Sequence, residues 1–392
     1  MTRPKTICVL GSYSGRNAGD AAILDGLLAD LRPRFPAARF TVPTFAPGFL
    51  RRSYDPERLV PISLRPWRGA IKIFGLPTFR AALSADLILI TDAILYDLDF
   101  FDPFHNFLST LQLVLPWARR RGIPVATYNA SLGPVLTPRG ERALGRVLSS
   151  CARMILRDRE SGALLRRLVP GAPEPIFGAD CALGVPREER AGLRRLRRER
   201  PFFSSPRPLL SFNVNAYLNV YFKGYGARFS RARFVAIAAA ALRHAIERMG
   251  LKVLLVQTVR MDTSITRELV QALGPTPELL WVSNRELHHR ELAQLLSEAE
   301  LHVGMRTHSL ILAAAAGTPI LGLIATPKNR GFLASLGLTG VEFDGLDEAV
   351  LIGALEAAWA ARERLRAELA PRVAAEKRRA REVREHLAPL LE

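Results

Sequence analysis

The chain has 392 residues, which is too many for one ordinary hydrophobic core and fits two domains of roughly 200 residues or fewer. A hydrophobic fraction of 48% with 23% charged residues excludes intrinsic disorder, and no apolar run reaches the roughly 18–20 residues of a membrane span. The formal net charge of +18 favours anionic partners such as nucleic acid, anionic lipid or small anions, although a GC-rich coding sequence also produces surface arginines that have no partner.

Strands and helices alternate through the first half of the chain. The predicted strands are Thr6–Leu10, Arg39–Phe45, Asp86–Thr91, Pro124–Asn129, Arg153–Arg157 and Pro175–Gly178. The predicted helices are Ala21–Leu31, Phe104–Arg121, Pro138–Cys151 and Arg159–Leu168. Continuous apolar runs such as Leu87–Ile90 are typical of strands covered on both faces, so the alternation predicts βαβ crossovers and a parallel sheet. Because the segment before Thr6 is too short for a secretory signal, we expect a cytosolic protein.

A basic segment, 186–208, separates this half from a second alternation and is predicted to be an exposed helix and linker. The second set of strands is Leu209–Val214, Leu251–Thr258, Leu279–Val282, Leu301–Gly304 and Pro319–Ile324. The second set of helices is Arg231–Met249, Ser264–Leu273, Leu287–Glu298, His308–Ala316 and Asn329–Leu336. The tail from Asp347 is predicted to be helical, with a break or kink at Pro371.

These patterns predict an α/β fold with two Rossmann-like, doubly wound domains that face each other across a cleft, as in GT-B enzymes. A long C-terminal helical segment follows. The predicted boundaries are 1–185 for the N-terminal domain, 186–208 for the basic linker, 209–346 for the C-terminal domain and 347–392 for the final helices. In such sheets, ligands bind at the carboxyl ends of the strands.

The glycine-rich segment Gly11–Asp20 follows the first strand and opens the first helix. Glycines such as Gly15 and Gly19 let the backbone turn and approach a ligand closely. The segment lacks the dinucleotide fingerprint and the Walker lysine. We expect Asp20 to be the N-cap of the helix and to occupy the place of an anion, so a neutral polyol fits this loop better than a phosphate does. A simple capped turn is the alternative.

A second segment, Gly304–Pro319, joins a strand to a helix of small residues. Arg306 and His308 lie where the helix begins, and Lys328 follows the next strand. Helix N-terminal amides together with an arginine fork make an anion site, and His308 can exchange a proton near neutral pH. The alternative for Arg306 and His308 is a buried ion pair beside a structural histidine.

Four motifs together resemble the polysaccharide pyruvyltransferase family. They are Asn17-x-Gly19-Asp20-x-Ala22-Ile23-Leu24, Arg157-Asp158-x-x-Ser161 with Ala179-Asp180 further on, Arg306-x-His308 before an alanine-rich helix, and Gly317-x-Pro319. The resemblance extends from Gly11 to Leu338. It implies transfer of a pyruvyl group from phosphoenolpyruvate to two hydroxyls of a sugar, forming a ketal on a surface polysaccharide or its precursor.

On this resemblance the N-terminal domain is the acceptor side and the C-terminal domain the donor side. We expect Arg306 and Lys328 to hold the donor anion, His308 to act as the acid and Asp20 as the base. The other substrate-binding residues are Gly15, Asn17, Gly19 and Asp180. No Asp, Glu, His or Cys cluster has metal-ligand spacing, so we expect no metal and no cofactor beyond the donor substrate, and we expect Cys8, Cys151 and Cys181 to be free thiols.

The sequence departs from the family pattern at two places. Thr91-Asp92-Ala93 stands where relatives commonly have a glycine triplet, and Asn129-Ala130-Ser131 stands where a Gly-x-Gly segment is common. The added side chains predict an acceptor that differs in shape from that of glycine-triplet relatives. A nucleotide-sugar glycosyltransferase and a non-catalytic relative are the alternative functions, because one fold hosts many activities.

Two segments, 65–74 and 217–234, mix aromatic and basic residues and suit an acceptor groove, a membrane surface or a packed loop. No nucleic-acid motif accompanies them, so we expect no nucleic-acid partner. The arginines cluster in Arg119–Arg121, Arg187–Arg200 and Lys377–Arg384. Such clusters predict peripheral contact with the anionic inner membrane face, where a lipid-linked glycan acceptor resides, and reversing Arg194, Arg195, Arg197 and Arg198 is expected to weaken that contact.

Overall fold

The computed structural model describes residues 3–54, 58–64, 75–92, 94–97, 107–216 and 230–392. The chain forms two compact units. Unit 1 comprises Met1–Gly15, Ile23–Gly184 and Glu376–Glu392, and unit 2 comprises Arg16–Ala22 and Val185–Ala375. This division assigns the basic segment 186–208 to unit 2 and distributes the tail 347–392 over both units. It also groups residues 16–22 with the second half of the chain.

Unit 1 is built on a seven-stranded parallel sheet in the order β3-β2-β1-β4-β5-β6-β7. Its strands are β1 (Thr6–Leu10), β2 (Arg39–Thr44), β3 (Leu59–Ser63), β4 (Leu87–Ile90), β5 (Val125–Ala130), β6 (Arg153–Leu156) and β7 (Ile176–Phe177). The helices in this part of the chain are α1 (Ala18–Arg34), α2 (Pro47–Ser53), α3 (Leu76–Leu83), α4 (Leu108–Arg120), α5 (Pro138–Ser149) and α6 (Arg159–Leu168). The fully buried β4 strand confirms that this sheet is covered on both faces.

Unit 2 is built on a six-stranded parallel sheet in the order β10-β9-β8-β11-β12-β13. Its strands are β8 (Leu209–Asn213), β9 (Lys252–Gln257), β10 (Leu279–Ser283), β11 (Leu301–Gly304), β12 (Ile320–Ile324) and β13 (Gly340–Glu342). The helices that follow α6 are α7 (Ala191–Glu199), α8 (Arg231–Glu247), α9 (Thr263–Leu273), α10 (His289–Leu296), α11 (Thr307–Ala315), α12 (Pro327–Ser335), α13 (Glu348–Ala360) and α14 (Arg362–Glu382).

Pro371 does not break the helix, which was one of the two outcomes predicted for it, because α14 runs through this residue from Arg362 to Glu382. A proline inside a helix removes one backbone hydrogen bond and crowds the preceding turn. Leu369 and Val373 are both buried, and the burial of these apolar side chains offsets the cost.

In unit 2 the strand order reverses between β8 and β11. From β8 the chain continues to β9 and β10 on one side of the sheet, and from β11 it continues to β12 and β13 on the other side. Such a switch point opens a crevice beyond the carboxyl ends of the two strands. The loops that follow Asn213 and Gly304 border this crevice, so the geometry selects them as the candidate site.

Two features of the sequence lie outside the described residues in whole or in part. Residues 65–74 and 217–229, which make up most of the two aromatic and basic segments, are not among them, and neither is Ala93. The three cysteines are described and are free thiols, as expected. None of the helices in the described ranges is long and apolar enough to cross a membrane.

Candidate active site

The segment 16–18 lies against the chain that follows β9, within unit 2. Asn17 pairs with Val259 in an antiparallel bridge, and the Ala18 amide donates to the Thr258 carbonyl at 2.8 Å. The Arg260 amide donates to the Arg16 carbonyl at 3.0 Å. This short ladder fixes the beginning of α1 at the carboxyl edge of the unit 2 sheet.

Asn17, not Asp20, caps helix α1. The helix begins at Ala18, and the Asn17 side-chain oxygen accepts from the Gly19 amide at 2.9 Å. Asp20 is the third residue of the helix, and its carboxylate accepts from Nδ2 of Asn17 at 2.8 Å. The expected capping role of Asp20 is therefore wrong, because an N-cap precedes the first helical residue. Asp20 instead supplies a buried carboxylate to the first turn.

Gly19 lies directly against the ring of His308. A Cβ atom added at position 19 would overlap Cγ and Nδ1 of the imidazole, so any larger residue would displace the ring. The contact brings Asn17, Gly19 and Asp20 together with His308 in unit 2. The loop that the sequence assigned to an acceptor thus adjoins the predicted proton donor.

Arg306 is paired with a buried carboxylate. Its Nε and Nη2 donate to Oδ2 and Oδ1 of Asp262 at 3.0 and 2.5 Å, and Asp262 has no exposed surface. Asp262 follows β9, so it reaches Arg306 across the intervening strand β8. The bidentate geometry, which a lysine cannot reproduce, holds the guanidinium in one orientation.

Two asparagines fix the backbone at the start of α11. Oδ1 of Asn213 accepts from the Arg306 amide at 3.0 Å, and Nδ2 of Asn329 donates to the Met305 carbonyl at 2.7 Å. Asn329 is fully buried and also accepts from the Thr326 hydroxyl. The loops after β8, β11 and β12 are thereby joined, and His308 is held on the second residue of a rigid helix.

Lys328 is the second residue of α12, beyond the carboxyl end of β12. Thr326 caps this helix by accepting from the Asn329 amide. The N-termini of α11 and α12 both lie at this edge of the sheet, where their dipoles favour negative charge. Lys328 adds a full positive charge to the same edge.

Three further arginines add charge beyond β9 and β10. Burial is the largest cause that lowers the pKa of Arg260, and the positive charges of Arg285 and Arg16 lower it further. A guanidinium whose neighbours are cations indicates a site with excess positive charge. Arg260 follows β9, Arg285 follows β10 and Arg16 follows β1. Because their positive charges lie close together, the site is suited to an anionic ligand.

His302 lies within the core of unit 2 and is a structural histidine, as its buried position predicts. Its ring bonds the hydroxyls of Ser211 at 2.9 Å and Ser309 at 3.1 Å. Burial lowers the pKa of His302 to about 3, so the ring is neutral near physiological pH. Ser309 is in α11, so this contact also supports the helix that carries His308.

Gly15 and Asp180, the two remaining predicted site residues, belong to unit 1. Gly15 has a φ of +70°, which requires glycine, and the ring of Phe49 occupies the space beside its Cα. Asp180 forms an ion pair with Arg157, and its Oδ1 accepts from the Ala182 amide at 2.8 Å. Both residues thus have a structural role within unit 1.

The departure at position 92 has a clear structural reason. Oδ2 of Asp92 lies 2.5 Å from Nη1 of Arg157, and all but a small part of both side chains is buried. Burial lowers the pKa of Arg157, but the negative charges of Asp92, Asp180 and Asp158 outweigh it and raise that pKa. A glycine at position 92 would remove one of the carboxylates that neutralise this buried arginine.

Sequence reasoning missed Asp262, Asn213, Asn329 and the arginine group Arg16, Arg260 and Arg285. Their positions in the sequence could have revealed these residues, since each one follows the carboxyl end of a strand or lies at the start of the next helix. Polar residues at this edge are typical of ligand sites in open sheets. The pairing of Asp262 with Arg306 had no such signal, because 44 positions separate them.

A family model described as polysaccharide pyruvyl transferase matches residues 17–325. The chain belongs to this family. The range matched in this transferase includes Asn17, Gly19, Asp20, Arg306 and His308, which unit 2 brings together. A comparison with curated protein sequences finds no match.

The transferase also resembles solved structures of low sequence identity. UDP-GlcNAc 2-epimerase from Neisseria meningitidis, bound to UDP-GlcNAc, has a TM-score of 0.64 at 11% identity, over 99% of each chain. Alr3699/HepE from Anabaena, in complex with UDP and glucose, has a TM-score of 0.61 at 15% identity, also over 99% of each chain. At these identities the likeness shows the fold alone, and that fold is of the GT-B class, as predicted from the sequence.

Proposed function

We propose that the transferase moves the pyruvyl group of phosphoenolpyruvate to two hydroxyls of one sugar, forming a ketal on a polysaccharide or its precursor. The observation that carries this proposal is the contact between Gly19 and His308, which joins the Asn17–Asp20 motif to the Arg306–His308 motif in one unit. The family match supports the same activity. No metal or additional cofactor enters the proposed reaction.

Phosphoenolpyruvate carries a carboxylate and a phosphate, so its binding requires concentrated positive charge. Lys328, the N-termini of α11 and α12, and the group Arg16, Arg260 and Arg285 supply it. Because the Arg306 guanidinium is bound to Asp262 through two of its nitrogens, we assign Arg306 first to positioning the start of α11. Contact of Arg306 with the donor remains part of the proposal.

Ketal formation needs a proton on the methylene carbon of the donor, which makes the adjacent carbon electrophilic. We assign this proton to His308, whose ring lies against the backbone of Gly19. Asp20 takes the proton of the first sugar hydroxyl as its oxygen attacks that carbon. The second hydroxyl then bonds to the same carbon as phosphate leaves, and its proton departs with the phosphate. The proton held by Asp20 then returns to His308 through solvent, so both residues regain their starting states. Over the whole cycle the two hydroxyls lose one proton each, of which one is bound to carbon and one leaves with the phosphate.

Transfer from a nucleotide-sugar is the alternative activity, because solved neighbours of the same fold are bound to UDP-GlcNAc or to UDP and glucose. The two activities differ in donor and are separated by calorimetric titration. We expect phosphoenolpyruvate to bind, and UDP-glucose and UDP-GlcNAc to give no heat at comparable concentrations. Binding of a nucleotide-sugar without binding of phosphoenolpyruvate would overturn the proposal.

Turnover is tested by phosphorus NMR, which detects phosphate released from phosphoenolpyruvate in the presence of a panel of glycan acceptors. The substitution His308→Ala is expected to slow release by roughly 10²–10⁴-fold while donor binding changes far less. An unchanged rate in this variant on an established acceptor would remove His308 from the proton transfer. The panel also identifies the sugar that the protein accepts.

A further inference from the structure

A groove of about 930 Å³ lies on the outer surface of unit 1, between α4, α5 and α6. Its lining is dominated by charged side chains, namely Arg119, Arg120, Arg142, Arg146, Arg167 and Glu141. With five guanidinium groups and one carboxylate, these side chains have a net charge of +4. We call this feature the basic groove.

Only part of this charge is neutralised within the protein. Nη1 of Arg167 lies 2.7 Å from Oε1 of Glu141, and Arg119 donates to the Ser149 carbonyl. For Arg120, Arg142 and Arg146, the described parts of the chain provide no carboxylate partner. Like charges held close together destabilise the folded protein, so the basic groove is costly unless it binds an anion.

Helix dipoles explain only part of the arrangement. Arg146 and Arg167 lie in the last turns of α5 and α6, where cations are favoured. Arg119 and Arg120 end α4 and complement the negative end of its dipole. Arg142, by contrast, lies in the first half of α5, where a cation gains nothing from the dipole. The opposite face of α5 is held to the core by Leu144 and Leu148, which are fully buried. The outward arginines are therefore not needed to anchor the helix.

Two large apolar side chains adjoin the basic groove on the exposed face of α4. Trp117 is 52% exposed and Leu113 is 44% exposed. They lie one helical turn apart, and Arg120 follows Trp117 by three positions, so all three share one side of the helix. Pro116, between them in sequence, lines the groove itself. We call Leu113 and Trp117 the apolar pair.

We propose that the basic groove and the apolar pair together form a docking surface for an anionic phospholipid bilayer. Arginine forks bind the phosphate groups of lipid headgroups. Tryptophan and leucine enter the boundary between headgroups and acyl chains, where an amphipathic ring is favoured. The juxtaposition of unneutralised arginines with exposed apolar side chains is the combination that an anionic membrane surface requires.

This surface differs from the arginine cluster of α7, which the sequence favoured. Nη2 of Arg197 lies 2.5 Å from Glu298 and 3.5 Å from Glu189, and Arg194 donates to the Glu189 carbonyl at 2.7 Å. Carboxylates therefore already neutralise part of the α7 charge. In addition, the exposed large apolar residues of the described chain include none in α7. The α7 cluster consequently offers a matched control.

The experiment is flotation of the full chain with vesicles of phosphatidylcholine containing about equal phosphatidylglycerol, at low and high salt, with pure phosphatidylcholine vesicles alongside. Three charge reversals, Arg120→Glu, Arg142→Glu and Arg146→Glu, are combined in one variant. The control variant combines Arg194→Glu, Arg195→Glu and Arg198→Glu and changes the net charge equally. We expect the groove variant to lose roughly a hundredfold in vesicle partitioning and the control variant to lose only a fewfold.

The apolar pair is tested by Leu113→Ser with Trp117→Ser. This variant is expected to bind about tenfold less at every salt concentration while keeping the salt dependence of the wild type. Circular dichroism and thermal unfolding establish that each variant is folded, and brominated lipids are expected to quench the fluorescence of the wild type more than that of Trp117→Phe.

Three results would overturn the proposal. The first is equal loss of binding in the groove and α7 variants, which would make the attraction a property of net charge alone. The second is wild-type binding that inorganic phosphate at millimolar concentration abolishes, which would indicate a site for free anions. The third is tighter binding of a single-stranded oligonucleotide than of vesicles. Because none of these assays measures pyruvyl transfer, their outcome is independent of the proposed function.

Discussion

Position 19 has a strict size limit, because the imidazole of His308 fills the space where a side chain would begin. The substitution Gly19→Ala forces this ring away from its place at the start of α11. A displacement of about 1 Å at a reacting group costs on the order of a hundredfold in rate, so we expect turnover to fall by about that factor. Phosphate release measured by phosphorus NMR checks the prediction.

The control for this substitution is Gly353→Ala. Gly353 lies in α13 with no atom within 4 Å of an added Cβ, so alanine there is expected to leave activity unchanged and to stabilise the helix by up to about 1 kcal/mol. Equal activity of the two variants would show that the ring of His308 moves aside without consequence.

The Arg306–Asp262 pair defines a second prediction for single residues. Both Arg306→Lys and Asp262→Asn break the bidentate geometry, and we expect each to lower the free energy of unfolding by about 1–3 kcal/mol. Urea denaturation measures this change. If the pair acts by positioning α11, both variants lose donor affinity to a similar extent in calorimetric titration. A loss confined to Arg306→Lys would instead assign Arg306 a direct contact with the donor.

At the scale of elements, one buried cluster of charges in unit 1 joins the ends of β4 and β6 to the chain beyond β7. Asp92, Arg157 and Asp180 form this cluster. The substitution Asp92→Gly leaves Arg157 with less negative charge around it, so we expect the free energy of unfolding to fall by about 1–3 kcal/mol. Asp344→Asn, which alters an exposed carboxylate, is the control and is expected to change stability little.

Activity with an acceptor panel completes this test. The side chains of Thr91 and Asp92 are buried and bonded within unit 1, and the Thr91 hydroxyl contacts the Tyr13 hydroxyl. We expect glycine at positions 91–93 to change which acceptors are used, because polar bulk at the strand end is lost. An acceptor profile identical to that of the wild type would restrict these residues to a structural role.

Periodicity predicted most of the strands and helices, because a strand covered on both faces leaves a continuous apolar run such as Leu87–Ile90. It missed β3, in which Pro61 interrupts the apolar pattern. A proline is tolerated there because β3 is an edge strand. The motif Arg306-x-His308 could also be recognised in the sequence, because it depends only on residues that are close together in the chain. The Asp262–Arg306 pair and the contact of Gly19 with His308 depend on strand order, which local patterns do not encode.

At the scale of the whole molecule, stability depends on pH through a group buried without charge. The folded-state pKa of His302 is about 3, below the ordinary value of 6.5, so the unfolded chain binds more protons than the folded protein between these values. The contribution of His302 to stability is therefore complete above pH 6.5 and is lost as pH falls toward 3. Urea unfolding across this window measures the effect, which is of the order of a few kcal/mol.

Glutamine has no ionisable group, so the variant His302→Gln is expected to show a smaller change in the free energy of unfolding between pH 6.5 and 3. Asp30 acts in the opposite sense. Its burial raises its pKa to about 6, so it contributes stability at acidic pH that is lost as pH rises through that value. A profile with the same slope in wild type and His302→Gln would show that other groups control the acid transition.

The order in which the two units can finish folding follows from how they share the chain. Residues 376–392 belong to unit 1, where the Ala380 carbonyl accepts from Asn129 and the Gly178 carbonyl accepts from Arg379. The ribosome produces these residues only after the whole of 185–375, so unit 1 cannot finish folding before unit 2 has been made. A nascent chain stalled at residue 375 has neither Arg379 nor Ala380, so the Asn129 side-chain amide and the Gly178 carbonyl lack their native partners. Synthesis of residues 376–392, rather than completion of the first sheet, is the event that closes unit 1.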